Sequence, residues 1–272
     1  MERLTDFRTV YAQVVTTAAG INDTAIQRAF STVPRHDFLG PGPWRFAPDG
    51  PRTPSDDPAL VYQDIVVALD DHASTPNGLP SLHARCISAC RLAPSESVAH
   101  VGAGTGYYSA ILGVLVGASG RVVGYEIDED LAARGRAAVT HWPWVSIEAR
   151  TGVSLPQHSA DVVYVSAGVQ QIPVNWFLAL KAEGRLLIPL TCGHQGAMLL
   201  VKRTDNEHVF DAAYLGPARF VPCIGTEDDG VSRTLSAAFE RGGVERVVAL
   251  RTDSPGHKAW CIGDGWWLAS GA

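Results

Sequence analysis

The sequence predicts an α/β fold: a mostly parallel sheet covered by helices on both faces, with a small β extension at the C-terminal end. Three observations carry that reading. Between residues 80 and 202, short β-branched runs alternate with segments of helical spacing. One run leads straight into a glycine loop that opens a helix. After residue 226 the alternation gives way to three short strand patterns.

The elements follow in order. Residues 23–30 read as a short helix with Ala25, Ile26, Ala29 and Phe30 on its apolar face. It stops before Pro34, because proline disfavours helix in the residue preceding it. Gly40-Pro41-Gly42-Pro43, then Pro48, Pro51, Pro54 and Pro58, mark a surface loop. Residues 82–92 have helical spacing, 97–101 form a strand, and 107–116 a helix. The alternation continues with a strand over 121–125, a helix over 129–140, and strands over 144–148 and 161–165. A helical stretch at 176–180 and an extended one at 185–189 follow. In the last segment, residues 243–251, 259–262 and 266–268 read as strands, and Asp264-Gly265 is a hairpin turn signal.

The 272 residues suffice for one large α/β domain with an appendage, and 46% apolar against 18% charged residues supports a sizeable core. A formal net charge of −6 weighs against a nucleic-acid partner. The N-terminal twenty residues carry Glu2, Arg3, Asp6 and Arg8 and lack an apolar segment of signal-peptide length. No run reaches membrane-spanning length, so a cytoplasmic location is expected. Cysteines at 86, 90, 192, 223 and 261 form neither a disulfide framework nor a zinc set. Cys86 and Cys90 share a helix face without a nearby Cys/His pair, and no metal is expected.

The strongest motif is Gly102-Ala103-Gly104-Thr105-Gly106, between strand and helix. A dinucleotide fold calls for Gly-x-Gly-x-x-Gly/Ala, which puts a small residue where Tyr107 stands. The third glycine comes one residue early, a spacing that favours S-adenosylmethionine, with its methionine and ribose over the loop. Glu126 ends the next strand, where an acid faces a ribose and accepts from its hydroxyls.

With these residues in hand, the chain resembles the protein-L-isoaspartate O-methyltransferase family from about residue 28 to 225. Val33-Pro34-Arg35-His36-Asp37-Phe38 is similar to the family's N-terminal segment. Residues 101–108 are similar to its cofactor loop, residues 180–189 to its late Leu-Lys-x-Gly-Gly-Arg-Leu segment, and Arg219-Phe220-Val221-Pro222 to its ending. The resemblance implies a class I S-adenosylmethionine-dependent methyltransferase fold, a Rossmann-like three-layer sandwich with a reversed terminal strand. It implies carboxyl O-methylation of a peptide or protein, with S-adenosyl-L-homocysteine as product. Residues 1–75 would be a lead-in and substrate-side cap, 76–225 the methyltransferase core, and 226–272 the β extension. Gly102, Ala103, Gly104, Thr105, Gly106 and Tyr107 would hold the methionine part, and Glu126 the ribose. Ile127 would pack on adenine, Thr151 and Gly152 would line its edge, and Val165, Ser166 and Ala167 would close the floor.

The departures concern the acceptor. The family's Gly-Gln-Thr-Ile-Ser segment is Asn77-Gly78-Leu79-Pro80-Ser81 here, so its threonine becomes Leu79 while Ser81 retains the serine. The acid of the cofactor-loop strand is His100, and the acid before the adenine-site glycine is Thr151, while Asp161 is retained. Methyl transfer to a carboxylate depends mainly on positioning, so no catalytic triad is expected. Ser81 is the candidate for orienting the acceptor oxygen, and His83 the candidate base or orienting group; His72 is a further candidate. Trp142-Pro143-Trp144 and Trp266-Trp267 read as packing before they read as binding surfaces, and Asp70-Asp71 and Glu227-Asp228-Asp229 as solvated loops before cation sites. Four functions stay open: a peptide carboxyl methyltransferase, a methyltransferase of the same fold for a small-molecule or natural-product acceptor, a non-catalytic S-adenosylmethionine-binding module, and a transfer RNA methyltransferase, against which the acidic balance weighs.

Overall fold

A computed structural model describes residues 2–70 and 75–271. Asp71 and His72 of the sequence reading lie outside the described residues. The chain divides into two compact units, Met1–Glu96 with Ala103–Arg150, and Ser97–Gly102 with Thr151–Ala272.

Helix α1 (Glu2–Ala19) was not expected. Its buried stripe of Tyr11, Ala12, Val15, Thr16 and Ala19 is interleaved with exposed Phe7, Val10 and Val14, which blurs the helical period. Helix α2 (Thr24–Thr32) starts at Asp23, whose carboxylate accepts from Ala25 and Ile26 N–H, and buries Ile26, Ala29 and Phe30 as expected. The proline-rich stretch is a loop with two one-turn 3-10 segments, Arg35–Phe38 and Pro58–Val61. Helix α3 (Pro80–Cys90) opens on proline and ends at Arg91 in the left-handed region. Strand β1 (Ser97–Val101) and helix α4 (Tyr107–Val116) fall where the sequence places them. So do β2 (Arg121–Glu126), α5 (Glu129–Ala138), β3 (Val145–Ala149) and β4 (Ala160–Val165), within a residue or two. Helix α6 (Val174–Ala179) leads into a long β5 (Leu180–Cys192).

Beyond β5 the structure departs from the expected pattern. Strands β6 (Gln195–Arg203) and β7 (Val209–Pro217) were not read. Helix α7 (Asp229–Arg241) was not read; the acidic Glu227-Asp228-Asp229 leads into it rather than forming a free loop. Asp228 caps it by accepting the Val231 N–H at 2.8 Å, and Val231, Leu235 and Ala238 form its narrow buried stripe. Strands β8 (Val247–Arg251), β9 (Ala259–Ile262) and β10 (Trp267–Ser270) match the three final patterns.

In the first unit β2 and β3 pair in parallel, from Val122 opposite Val145 to Glu126 opposite Ala149. In the second unit the strand order is β1-β4-β5-β6-β7-β8-β10-β9. The β1-β4 and β4-β5 pairs are parallel, and every pairing from β5-β6 onward is antiparallel. The parallel character therefore belongs to the first strands only. The C-terminal strands join the same sheet through β8 on β7 rather than forming a separate layer.

Candidate cofactor and acceptor site

Gly102, Gly104 and Gly106 all lie in the left-handed region, at φ +74°, +55° and +85°. The Ala103 N–H donates to Tyr125 O at 3.1 Å, tying the loop to β2, and Gly106 N–H closes the turn on Ala103 O at 2.9 Å. Gly106 is then the N-cap of α4. A Cβ on Gly124 of β2 would stand 2.6 Å from Ile147 Cδ1 and 2.9 Å from Ala103 Cβ, so the bare strand gives the loop its close approach.

Glu126 holds the loop from the other side. Its Oε2 accepts the Gly104 N–H at 2.7 Å and its Oε1 accepts the Asp128 N–H at 3.0 Å. The carboxylate is thus fixed at the tip of β2, and each oxygen keeps a second lone pair. The neighbouring Ile127 is 47% exposed, an apolar side chain beside a polar anchor.

Two loop side chains are used inside the protein. The Thr105 hydroxyl donates to Phe38 O at 2.6 Å and is buried. The buried Tyr107 hydroxyl lies 3.1 Å from that of Tyr11, and its ring meets Phe30 and Phe38 edge-on or tilted. Both side chains are therefore committed to contacts within the protein.

At the start of α3, Leu79 gives the helix no side-chain cap. Asp64 supplies it from seventeen residues away, its Oδ1 accepting the Ser81 N–H at 2.8 Å. Arg35, fully buried, fixes the loop that carries Asp64 by donating to the carbonyls of Val61, Gln63 and Ile65 at 2.6–2.8 Å. The Ser81 hydroxyl has no hydrogen-bond partner among the described residues. The His83 ring stacks on Tyr108 at 3.6 Å between centroids, 11° from parallel. Gly78 is glycine because a Cβ there would fall 2.5 Å from His83 Nε2. Sequence reasoning missed Asp64, since nothing local marks a cap supplied from another loop. Arg35 lay within a quoted motif without a role.

In the second unit His100 is completely buried, with Nε2 2.9 Å from Ser166 Oγ. Burial pushes its pKa down to about 3, so the ring is neutral. A Cβ on Gly102 would meet Ser166 and Ala167 at 3.1–3.4 Å, so the start of the loop runs close to the end of β4. Gly152 O accepts the buried Trp176 Nε1–H at 2.8 Å, and the exposed Thr151 hydroxyl accepts the Val153 N–H at 3.2 Å. Asp161 joins β1 to β5, accepting from Ser97 N–H at 2.7 Å and Lys181 Nζ at 2.8 Å.

Three of the tryptophans in the aromatic clusters have their indole N–H groups paired within the protein. Trp144 Nε1–H donates to Gly113 O, Trp266 Nε1–H to Gln171 Oε1 and Trp267 Nε1–H to Asp253 O. All five cysteines are free thiols, and burial pushes Cys86 up to about 12. Among the described residues no helix is long and apolar enough to cross a membrane.

A family profile described as Protein-L-isoaspartate(D-aspartate) O-methyltransferase matches residues 14–228. The chain belongs to this family. Membership makes it an S-adenosylmethionine-dependent carboxyl methyltransferase by class. The Koribacter versatilis protein-L-isoaspartate O-methyltransferase is 30% identical over 212 residues, which are 76% of this chain and 86% of that one. That of Rhodopseudomonas palustris is 30% identical, over 77% of this chain and 89% of its own. A solved protein-L-isoaspartate O-methyltransferase, 21% identical, covers 97% of this chain and 88% of its own with a TM-score of 0.70. A Plasmodium falciparum structure described as the same enzyme in complex with S-adenosyl-L-homocysteine gives 0.64 at 16% identity, over 79% of this chain and 97% of its own. At these identities the two structures speak to the fold alone.

Proposed function

We propose that this family member methylates a carboxylate of a peptide or protein, an isoaspartyl residue first among them. The observation that carries the cofactor half is the Glu126 carboxylate, held between the N–H groups of Gly104 and Asp128. It puts a fixed acceptor pair beside a loop of left-handed glycines. Among the described residues a Cβ on Gly104 would meet only Leu69 Cδ1, at 3.5 Å. These residues fit a nucleoside with free ribose hydroxyls.

On this reading residues 102–107 hold the methionine part, Glu126 the ribose and Ile127 the adenine face. The same proposal includes Thr151, Gly152 and Ser166. Residues 1–75 serve as the acceptor-side cap, 76–225 as the core, and 226–272 as an extension. When bound, S-adenosylmethionine supplies a sulfonium methyl that a carboxylate oxygen attacks without prior deprotonation. The protein's own task is therefore alignment and exclusion of water. Asp64 fixes the first turn of α3, and the Ser81 hydroxyl donates to the acceptor carboxylate. His83, stacked on Tyr108, shapes that wall. The free thiols suit a reducing, cytoplasmic compartment.

Leu79, in place of the family threonine, favours a second reading in which the acceptor is a small-molecule carboxylate. Labelled methyl transfer separates the two. Base-labile label on an isoaspartyl peptide supports the first. Label appearing only in a metabolite extract supports the second and overturns the first.

A further inference from the structure

We infer that the Asn77 side-chain oxygen receives an N–H donor of the methyl acceptor, so that the preferred acceptor carries its carboxylate next to an amide N–H. The inference rests on the peptide-carboxylate reading above and narrows it to a recognition element. Asn77 is only 7% exposed, and its Oδ1 is buried without a hydrogen-bond partner among the described residues. Native folds pair nearly all such oxygens, so one left bare calls for an explanation.

The backbone around it is fixed. Asn77 N–H donates to Val67 O at 2.7 Å, and Pro76 bridges Ala68. The next residue, Gly78, passes close over His83 and accepts the Tyr108 hydroxyl at 3.3 Å. Two residues further on, α3 begins with Pro80 and Ser81. The bare oxygen therefore opens the segment whose serine is proposed to hold the acceptor carboxylate. It also stands where the family segment has glycine, which has no side chain to offer.

Chemistry fixes what it takes. An amide oxygen only accepts, so an ionised carboxylate cannot satisfy it. The donor must be a separate group of the same acceptor. In an isoaspartyl residue the free carboxylate and the amide N–H share one α-carbon. Ser81 donating to the first and Asn77 accepting from the second would read both groups at once. A lone carboxylic acid offers only the first.

The test compares an isoaspartyl peptide with its depsipeptide, in which an ester oxygen replaces that N–H without changing shape. The protein should methylate the amide with kcat/KM about tenfold above the ester, the usual worth of one buried hydrogen bond. In Asn77→Gly the ratio should fall to about one, while calorimetric affinity for S-adenosyl-L-homocysteine, which also reports folding, stays unchanged. Asn77→Ser, which keeps an acceptor oxygen, should hold part of the preference and serves if the glycine variant does not fold. Equal rates on both peptides in the unaltered protein overturn the inference and leave the proposed acceptor standing. So does a preference that survives in Asn77→Gly. Lost cofactor-product affinity in that variant also overturns it, assigning the oxygen to the cofactor. Transfer to neither peptide overturns the acceptor reading and this one together.

Discussion

The Glu126 carboxylate accepts the Gly104 N–H at 2.7 Å, across the width of the glycine loop. One side chain therefore shapes the loop and presents an anion to it. Removing the carboxylate should act on both. Glu126→Ala is expected to lower stability by about 1–2 kcal/mol, since hydrogen bonds to a charged acceptor are lost. It should also weaken S-adenosyl-L-homocysteine binding at least about tenfold, whereas Glu126→Gln, which keeps one acceptor oxygen, should fall between. Calorimetry on the three proteins checks this, and unchanged affinity in the alanine variant removes the ribose assignment.

Gly106 combines a positive φ with contact. Its φ is +85°, and a Cβ would meet Val139 Cγ1 at 3.2 Å and Ile147 Cδ1 at 3.3 Å. Gly106→Ala should cost about 1–3 kcal/mol in chemical denaturation. A variant as stable as the parent would show that the early third glycine is not required by the turn.

His100 makes stability depend on pH. Its folded pKa is about 3, against an unfolded value of 6.5. Below 6.5 the unfolded chain binds a proton that the native one refuses. This contribution is therefore complete above pH 6.5 and is lost as pH falls towards 3. Between pH 6.5 and 5 the loss approaches about 2 kcal/mol, at about 1.4 kcal/mol per unit. Urea midpoints across that range should show the slope, and His100→Gln should flatten it. An identical slope in the variant rejects the assignment.

Asp64 acts on α3 from outside the helix. Asp64→Ala should cost about 1 kcal/mol, as the loss of a cap does. It should also lower kcat/KM for the acceptor, through Ser81, with S-adenosyl-L-homocysteine affinity unaltered. Asp64→Asn retains an accepting oxygen and should restore most of both. Equal losses in the two variants would mean that charge, not capping, is what matters.

Leu79→Thr puts a hydroxyl back where the family has one. It should raise kcat/KM on an isoaspartyl peptide at least about tenfold, the worth of one added hydrogen bond to a charged group. No gain would mean that Leu79 is not what separates this chain from its relatives.

The sequence by itself determined the front of the fold and the glycine loop. The strand, the glycine loop, α4 and Glu126 are contiguous or one βαβ unit apart, so periodicity and spacing suffice to place them. The sequence did not disclose α1, α7, β6 and β7. The two helices bury narrow stripes in otherwise polar or mixed segments, and the two strands become recognisable through antiparallel partners on the sheet. Tertiary structure alone decided the surroundings of α3, the proposed acceptor side. The cap on Ser81 comes from Asp64, the loop that carries Asp64 is held by Arg35, and the bare oxygen of Asn77 is bare only because the fold buries it. A hydrogen bond between residues far apart in sequence, or the lack of one, leaves no mark in local composition.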